Sequence, residues 1–237
     1  SKPEMLKATQ AMNIAYYKKD TLLLSPTLKA EFLYQYQKAN GFSKRNKIFA
    51  YNATLNTLGS LTPTFTNWVS NLALVKNTMG IAPQRVVPHL APTTFRNWVK
   101  KNRKDAATTL YPNGQVYLFC DEFTNFYDVG VGVDTYELLT QLGYQVVIID
   151  HQESGRAFIS KGFLEQAKTI ATRNVAIFKN IVSAEIPLIG IEPSAILTFR
   201  DEYLRLAEDK AGAEQLAKHV FTIEEFFKRE IEKGAIR

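Results

Sequence analysis

Residues 115–125 read Gln-Val-Tyr-Leu-Phe-Cys-Asp-Glu-Phe-Thr-Asn, an apolar run that stops on the chain's only cysteine and two carboxylates. A thiol at Cys120 beside Asp121 and Glu122 has two chemical readings. It is a nucleophile with acid/base groups at hand, or it is a small buried hydrophobe at the end of a strand. Two later stretches repeat the arrangement of an apolar run spilling into polar side chains. Residues 144–150 run into His151, Glu153, Ser154 and Arg156, and residues 187–191 run into Glu192, with Arg200 following. His151 suits proton transfer, Glu153 suits ligation and Arg156 suits an anion. The alternative is that these groups are loop-stabilising ion pairs.

Something must bring these three loops together. From residue 114 onward, short apolar runs alternate with amphipathic stretches: strands at 115–119, 144–149 and 187–191, and helices at 133–142, 162–182, 194–206 and 223–233. Repeated strand–loop–helix units predict a parallel sheet with right-handed crossovers and helices on both faces, hence an α/β fold over residues 114–237. In such a sheet all three polar loops fall at one edge and share a pocket. Thr222 with Glu225 is a capping-box pattern at the start of the last helix.

The preceding half reads as mainly helical. Helices are predicted over 5–19, from Ser25-Pro26 to a terminating Gly41, over 44–58, over 65–79, and briefly after Thr93-Thr94. Residues 80–92, with Pro83, Pro88 and Pro92, read as an extended linker. The reading therefore divides the chain into a helical region, 1–105, and an α/β unit, 106–237.

Composition narrows the function classes. Of 237 residues, 46% are hydrophobic, enough for a sizeable core, yet no apolar run reaches the length of a membrane span. The amino-terminal stretch has no apolar signal region, and a single cysteine excludes an intrachain disulfide framework, so a cytoplasmic setting is expected. A start at Ser1 rather than methionine suggests a fragment. Residues 1–113 hold 16 Lys and Arg against 4 Asp and Glu, whereas residues 114–237 hold 13 against 19. That asymmetry fits a basic layer docked on an acidic unit, or solvated basic helices, better than a nucleic-acid surface, because the basic residues are dispersed. Gly130 and Gly132 follow their strand too distantly for a dinucleotide fingerprint. No phosphate loop, nucleophile elbow or His-Glu-x-x-His zinc helix is present.

Taken as an ordered set, four blocks resemble a known family. They are Leu118-Phe119-Cys120-Asp121-Glu122-Phe123, then Gly143-Tyr144-Gln145-Val146, then Ser154-Gly155-Arg156 with Ser160-Lys161-Gly162, and finally Gly190-Ile191-Glu192-Pro193-Ser194-Ala195 with Arg200-Asp201-Glu202-Tyr203. Together they resemble the cysteine-rich (CCG) domain of iron–sulfur subunits of glycolate and lactate oxidases and of heterodisulfide reductase. The same domain closes large FAD-linked oxidases of the D-lactate dehydrogenase type. Residues 28–41 resemble the segment after the helical ferredoxin domain of those oxidases. The resemblance implies FAD and iron–sulfur clusters in the family, and a flavin domain or subunit as partner.

The family's cluster ligands are not carried over. Cys120 stands at the first cysteine, but Glu153-Ser154-Gly155 stands where Cys-Cys-Gly belongs, and Glu192 to Ala195 stand where Cys-x-x-Cys belongs. Met12, Ala15 and Lys19 stand where the ferredoxin-like thiols are expected. One thiolate cannot hold a four-iron cluster, so no cofactor or metal is expected in this chain. The expectation is a cluster-less relative or fragment with a structural or docking role and a ligand pocket at the degenerate site. The loops should still converge, with Glu153 or Glu192 paired with His151, Arg156, Arg200 or a cation. Two other readings stand beside it: an independent metal- or small-molecule-binding enzyme using Cys120, His151, Glu153 and Glu192, and an anionic-surface or nucleic-acid binder working through the basic half.

Overall fold

The computed structural model describes residues 26–102 and 111–236. The expected helix at 5–19, the Ser25 cap and the expected boundary near 105 lie outside the described residues.

Four short strands form one all-parallel sheet: β1 (Gln115–Phe119), β2 (Gln145–Val147), β3 (Leu188–Gly190) and β4 (Val220–Thr222), in the order β2-β1-β3-β4. The register pairs Val116 with Val146, Leu118 with Ile189, and Ile189 with Phe221. The first three strands fall where the apolar runs predict them. β4 was not expected from sequence. Its three residues directly precede the Thr222 capping box, which is present, and too short a stretch of alternation marks them.

Helices cover both faces, as the repeated units require. One face packs β-strand residues against α8 (Val129–Gln141), α14 (Ile223–Glu232) and α6 (Phe95–Asn102), with Phe95, Leu139, Tyr144 and Phe226 fully buried. The other packs against α10 (Leu164–Phe178), the turn-like segment from α11 (Pro193–Ile196) through a 3₁₀ turn (Leu197–Phe199) to α12 (Glu202–Leu206), and α13 (Lys210–Ala217). The helices expected as single rods over 162–182 and 194–206 are thus shorter or broken. Before the first, a short separate helix that was not expected, α9 (Arg156–Ser160), starts at Gly155 with a φ of 73°, a backbone shape that a side chain opposes.

The amino-terminal helices wrap this unit. α1 (Pro26–Asn40) ends at Gly41, φ 87°, as predicted, and docks where Gly162 leaves space. A Cβ on Gly162 would lie 2.7 Å from the Leu33 side chain. The expected helix at 44–58 is two helices, α2 (Lys44–Ala50) and α3 (Asn52–Gly59), broken at Tyr51, whose ring packs edge-on against Phe158 and Phe163. The expected helix at 65–79 likewise divides into α4 (Pro63–Ser70) and α5 (Ala73–Met79). The break follows Asn71, whose side chain engages the backbone of Val87. Residues 80–92 carry no regular element, matching the proline-rich reading. Among the described residues no helix is long and apolar enough to cross a membrane.

Candidate functional site

The strand order reverses direction between β1 and β3, the place where open α/β sheets hold their ligands. The polar loop after β1 opens with Asp121, which is almost fully buried because it caps the short helix α7 (Glu122–Phe126). Its Oδ1 accepts the backbone N–H of Phe123 at 2.9 Å and of Thr124 at 3.0 Å, and its Oδ2 accepts the Thr124 hydroxyl at 2.7 Å. Asp121 is therefore a cap with its acceptors used. Burial still holds its carboxyl above the usual range, against these bonds.

Cys120 and His151 meet, though not as a catalytic pair. The Cys120 backbone N–H, not its thiol, donates to His151 Nε2 at 3.1 Å. Nδ1 lies 2.6 Å from the Gln152 carbonyl and so carries the proton. With Nε2 accepting and Nδ1 donating, the ring is neutral and both nitrogens are occupied. Burial drives its pKa down to about 3, helped by the Arg96 charge. The ring stacks on Phe119 at 4.3 Å between centroids. The Cys120 thiol faces Asn125 Oδ1 at 3.6 Å, and burial pushes it up to about 12 despite Arg96 nearby. A thiol that keeps its proton and an imidazole committed to backbone cannot generate a thiolate nucleophile.

The loops after β1 and β2 are joined more firmly by Glu122. This carboxylate is 3% exposed, and accepts the Ser154 backbone N–H at 3.0 Å on one oxygen and the Ser154 hydroxyl at 2.7 Å on the other. The Ser154 Oγ in turn accepts the Arg156 backbone N–H at 3.1 Å, and its carbonyl accepts the Tyr203 hydroxyl at 2.9 Å. Asn174, fully buried on α10, completes the patch: its amide donates to the Glu153 carbonyl and the Tyr203 oxygen, both at 2.9 Å, and accepts the Gln152 N–H at 3.0 Å.

Neither of the two glutamates expected to find a base does so. Arg156 pairs with Glu202, and Arg200 pairs with Glu225 at 2.6 Å. Glu192 instead caps α11, accepting the N–H and hydroxyl of Ser194 at 3.1 and 2.7 Å. It lies near enough to Asp121 to raise that carboxyl further. Glu153 has a buried oxygen, Oε2, with no hydrogen-bond partner. Burial, then the neighbouring Glu122, push its pKa up to about 8, so it holds a proton at neutral pH. Reach decides both pairings: α12 and α14 present carboxylates to the two arginines, through Glu202 and Glu225, where the strand loops do not. Ala195 is fully buried in the core beside Phe119.

Among the described residues no group of three or more His, Cys, Asp or Glu side chains is arranged to hold a metal ion. An iron–sulfur cluster does not fit either. The one thiol points at an asparagine, and the counterpart positions carry the unpartnered Glu153, the hydrogen-bonded Ser154, the helix-capping Glu192 and the core Ala195.

Two contributors were not foreseen. Arg96, from the helical half, donates to the Ile149 carbonyl at 2.9 Å and lies 3.9 Å from Asp150, placing its charge beside Cys120 and His151. Nothing in its local sequence marks it. Asn174 did leave a signal: it interrupts the apolar stripe Ala167, Ile170, Ala171, Val175, Phe178 of α10, and a polar residue there needs buried partners.

No protein-family model matches the chain, and no solved structure matches it. The chain is similar to D-2-hydroxyglutarate dehydrogenases: 26% identical over 133 residues to that of Haemophilus influenzae, 31% over 98 residues to that of Pantoea ananatis, and 33% over 91 residues to that of Escherichia coli. The matches cover 56, 41 and 38% of this chain, but only 13, 10 and 9% of the relatives. The chain is thus related in part of its length to D-2-hydroxyglutarate dehydrogenases, of which the matched stretch spans about a tenth.

Proposed function

We propose that this chain is a cluster-less counterpart of the iron–sulfur region of an FAD-linked dehydrogenase acting on D-2-hydroxy acids, and that its role is structural. It holds or docks the flavin-bearing part rather than carrying electrons itself. The partial identity to D-2-hydroxyglutarate dehydrogenases supports the oxidoreductase context. The observation that carries the structural role is the bidentate Glu122–Ser154 contact. It closes the space between two loops that thiolates would occupy in a cluster-bearing relative, with a buried carboxylate whose acceptors are used. A second reading, a small hydrogen-bond-donating ligand at the degenerate edge, is favoured by one atom: the unpartnered Oε2 of Glu153.

The test is isolation of the native protein through a tag on this chain. Bound flavin, with reduction of an acceptor dye on adding D-2-hydroxyglutarate, is the expected result. A flavin-free preparation inert to D-2-hydroxy acids overturns the proposal.

A further inference from the structure

Helix α4 is built the wrong way round for water. Pro63 and Val69 apart, its half-buried residues are polar: Asn67 accepts the Leu90 N–H at 2.8 Å and donates to the Leu90 carbonyl at 2.9 Å, and four residues on Asn71 accepts the Val87 N–H at 3.0 Å. Thr66 donates to the Gly59 carbonyl at 3.0 Å. Its outward face is aromatic, with Phe65 63% and Trp68 62% exposed and their rings 6.1 Å apart. No residue of α4 is fully buried. Leu61 just before it and Leu72 just after it are exposed too, as are Leu55 and Leu58 on α3, which the Thr66 contact ties to α4.

At roughly 200 Å² per aromatic side chain, Phe65 and Trp68 alone expose about 250 Å². Adding four leucines carries the surface to the upper end of the roughly 300–600 Å² that a monomer's largest apolar patch reaches. The amide clamps fix the helix in this orientation, so the aromatic rings are held outward rather than left there by loose packing.

We propose that this face is the seat of the flavin-bearing polypeptide, which meets it with an apolar surface rimmed by carboxylates. This rests on the function proposed above, and two observations choose the occupant. The first is charge: residues 32–104 contain no Asp or Glu, and exposed Lys44, Arg45 and Lys47 lie on α2, which packs against α5 at the border of the patch. Arg45 reaches the end of α5, and a Cβ on Gly80 would lie 3.0 Å from its side chain. A second copy of the chain would set basic rim against basic rim, which costs affinity. The second is extent: about nine-tenths of each relative is unmatched by this chain. A lipid surface fits less well, because the apolar groups sit on helices of eight, eight and seven residues rather than on one long amphipathic helix.

The experiment is hydroxyl-radical footprinting of the native flavin-bearing protein, with the exposed Tyr36 of α1 as internal reference. Phe65 and Trp68 should be protected while Tyr36 is oxidised. Phe65→Glu with Trp68→Glu should weaken flavin retention by at least about tenfold, the usual effect of losing aromatic anchors. Val131→Glu, on exposed surface of α8, should not. Leu61→Glu, 79% exposed and outside any helix, repeats the charge test without touching α4. A wild-type preparation without flavin refutes the function proposed above. Flavin present with Phe65 and Trp68 oxidised as fast as Tyr36 refutes this surface alone. Protection that depends on protein concentration, or only on added phosphatidylserine vesicles, overturns it in favour of a second copy or a membrane.

Discussion

Glu153→Gln should stabilise the protein at neutral pH, and the gain should vanish in acid. Glu153 has a folded-state pKa of about 8 against an ordinary 4.5, raised by burial and then by Glu122. A carboxyl whose pKa rises on folding contributes stability that is fully present below 4.5 and is lost as pH climbs through 8. At about 1.4 kcal/mol per pH unit, the cost at pH 7 reaches about 3.5 kcal/mol. The side chain is only part-buried, so solvent screening brings the expected figure to about 1–2 kcal/mol. Glutamine keeps the shape and cannot ionise. Urea unfolding of both proteins across this pH range gives a difference curve near zero at the acid end that rises to its plateau above pH 8. Taking the difference matters because His151 titrates in the same window. Its ring stays neutral down to about 3 when folded but charges below 6.5 when unfolded, so stability falls as pH falls through that interval. His151 is unchanged in both proteins, and its slope cancels. A variant less stable than wild type at neutral pH would refute the reasoning. It would mean that a cation or donor holds the carboxylate ionised, which favours the ligand reading of this edge.

Three further outcomes follow from the same patch. Ser154→Ala removes a hydroxyl that donates to buried Glu122 and accepts from the Arg156 N–H. It should cost about 2–3 kcal/mol by urea midpoint with an unchanged slope, whereas a loss below about 0.5 kcal/mol would remove the patch's structural role. Cys120, buried with its thiol at about 12, should react with a thiol reagent only as fast as the protein unfolds, and labelling at the rate of a free cysteine would contradict the burial. Anaerobic reconstitution with iron and sulfide should add no iron–sulfur charge-transfer absorbance to the protein, and stoichiometric iron and sulfide would show that the thiolate count misleads.

The parallel sheet, the helices on both faces and the convergence of the β1 and β2 loops were legible because they rest on local patterns. Strands β1, β2 and β3 announce themselves by short apolar runs, α1 by its Gly41 stop, and α14 by its Thr222–Glu225 box. What the side chains at the edge do was not legible. Arg156 and Arg200 sit near Glu153 and Glu192 in the chain, yet pair with Glu202 and Glu225, because helices returning over the sheet place those carboxylates closer. His151 beside Cys120 suggests a catalytic pair until the hydrogen bond turns out to run from backbone to ring. The sequence determined which groups are present and the edge of the sheet where they gather, since apolar periodicity dictates what must be buried. Only the tertiary structure decided their partners and protonation, because both depend on distances of a few ångströms and on desolvation by residues, such as Arg96 and Asn174, that lie far away along the chain.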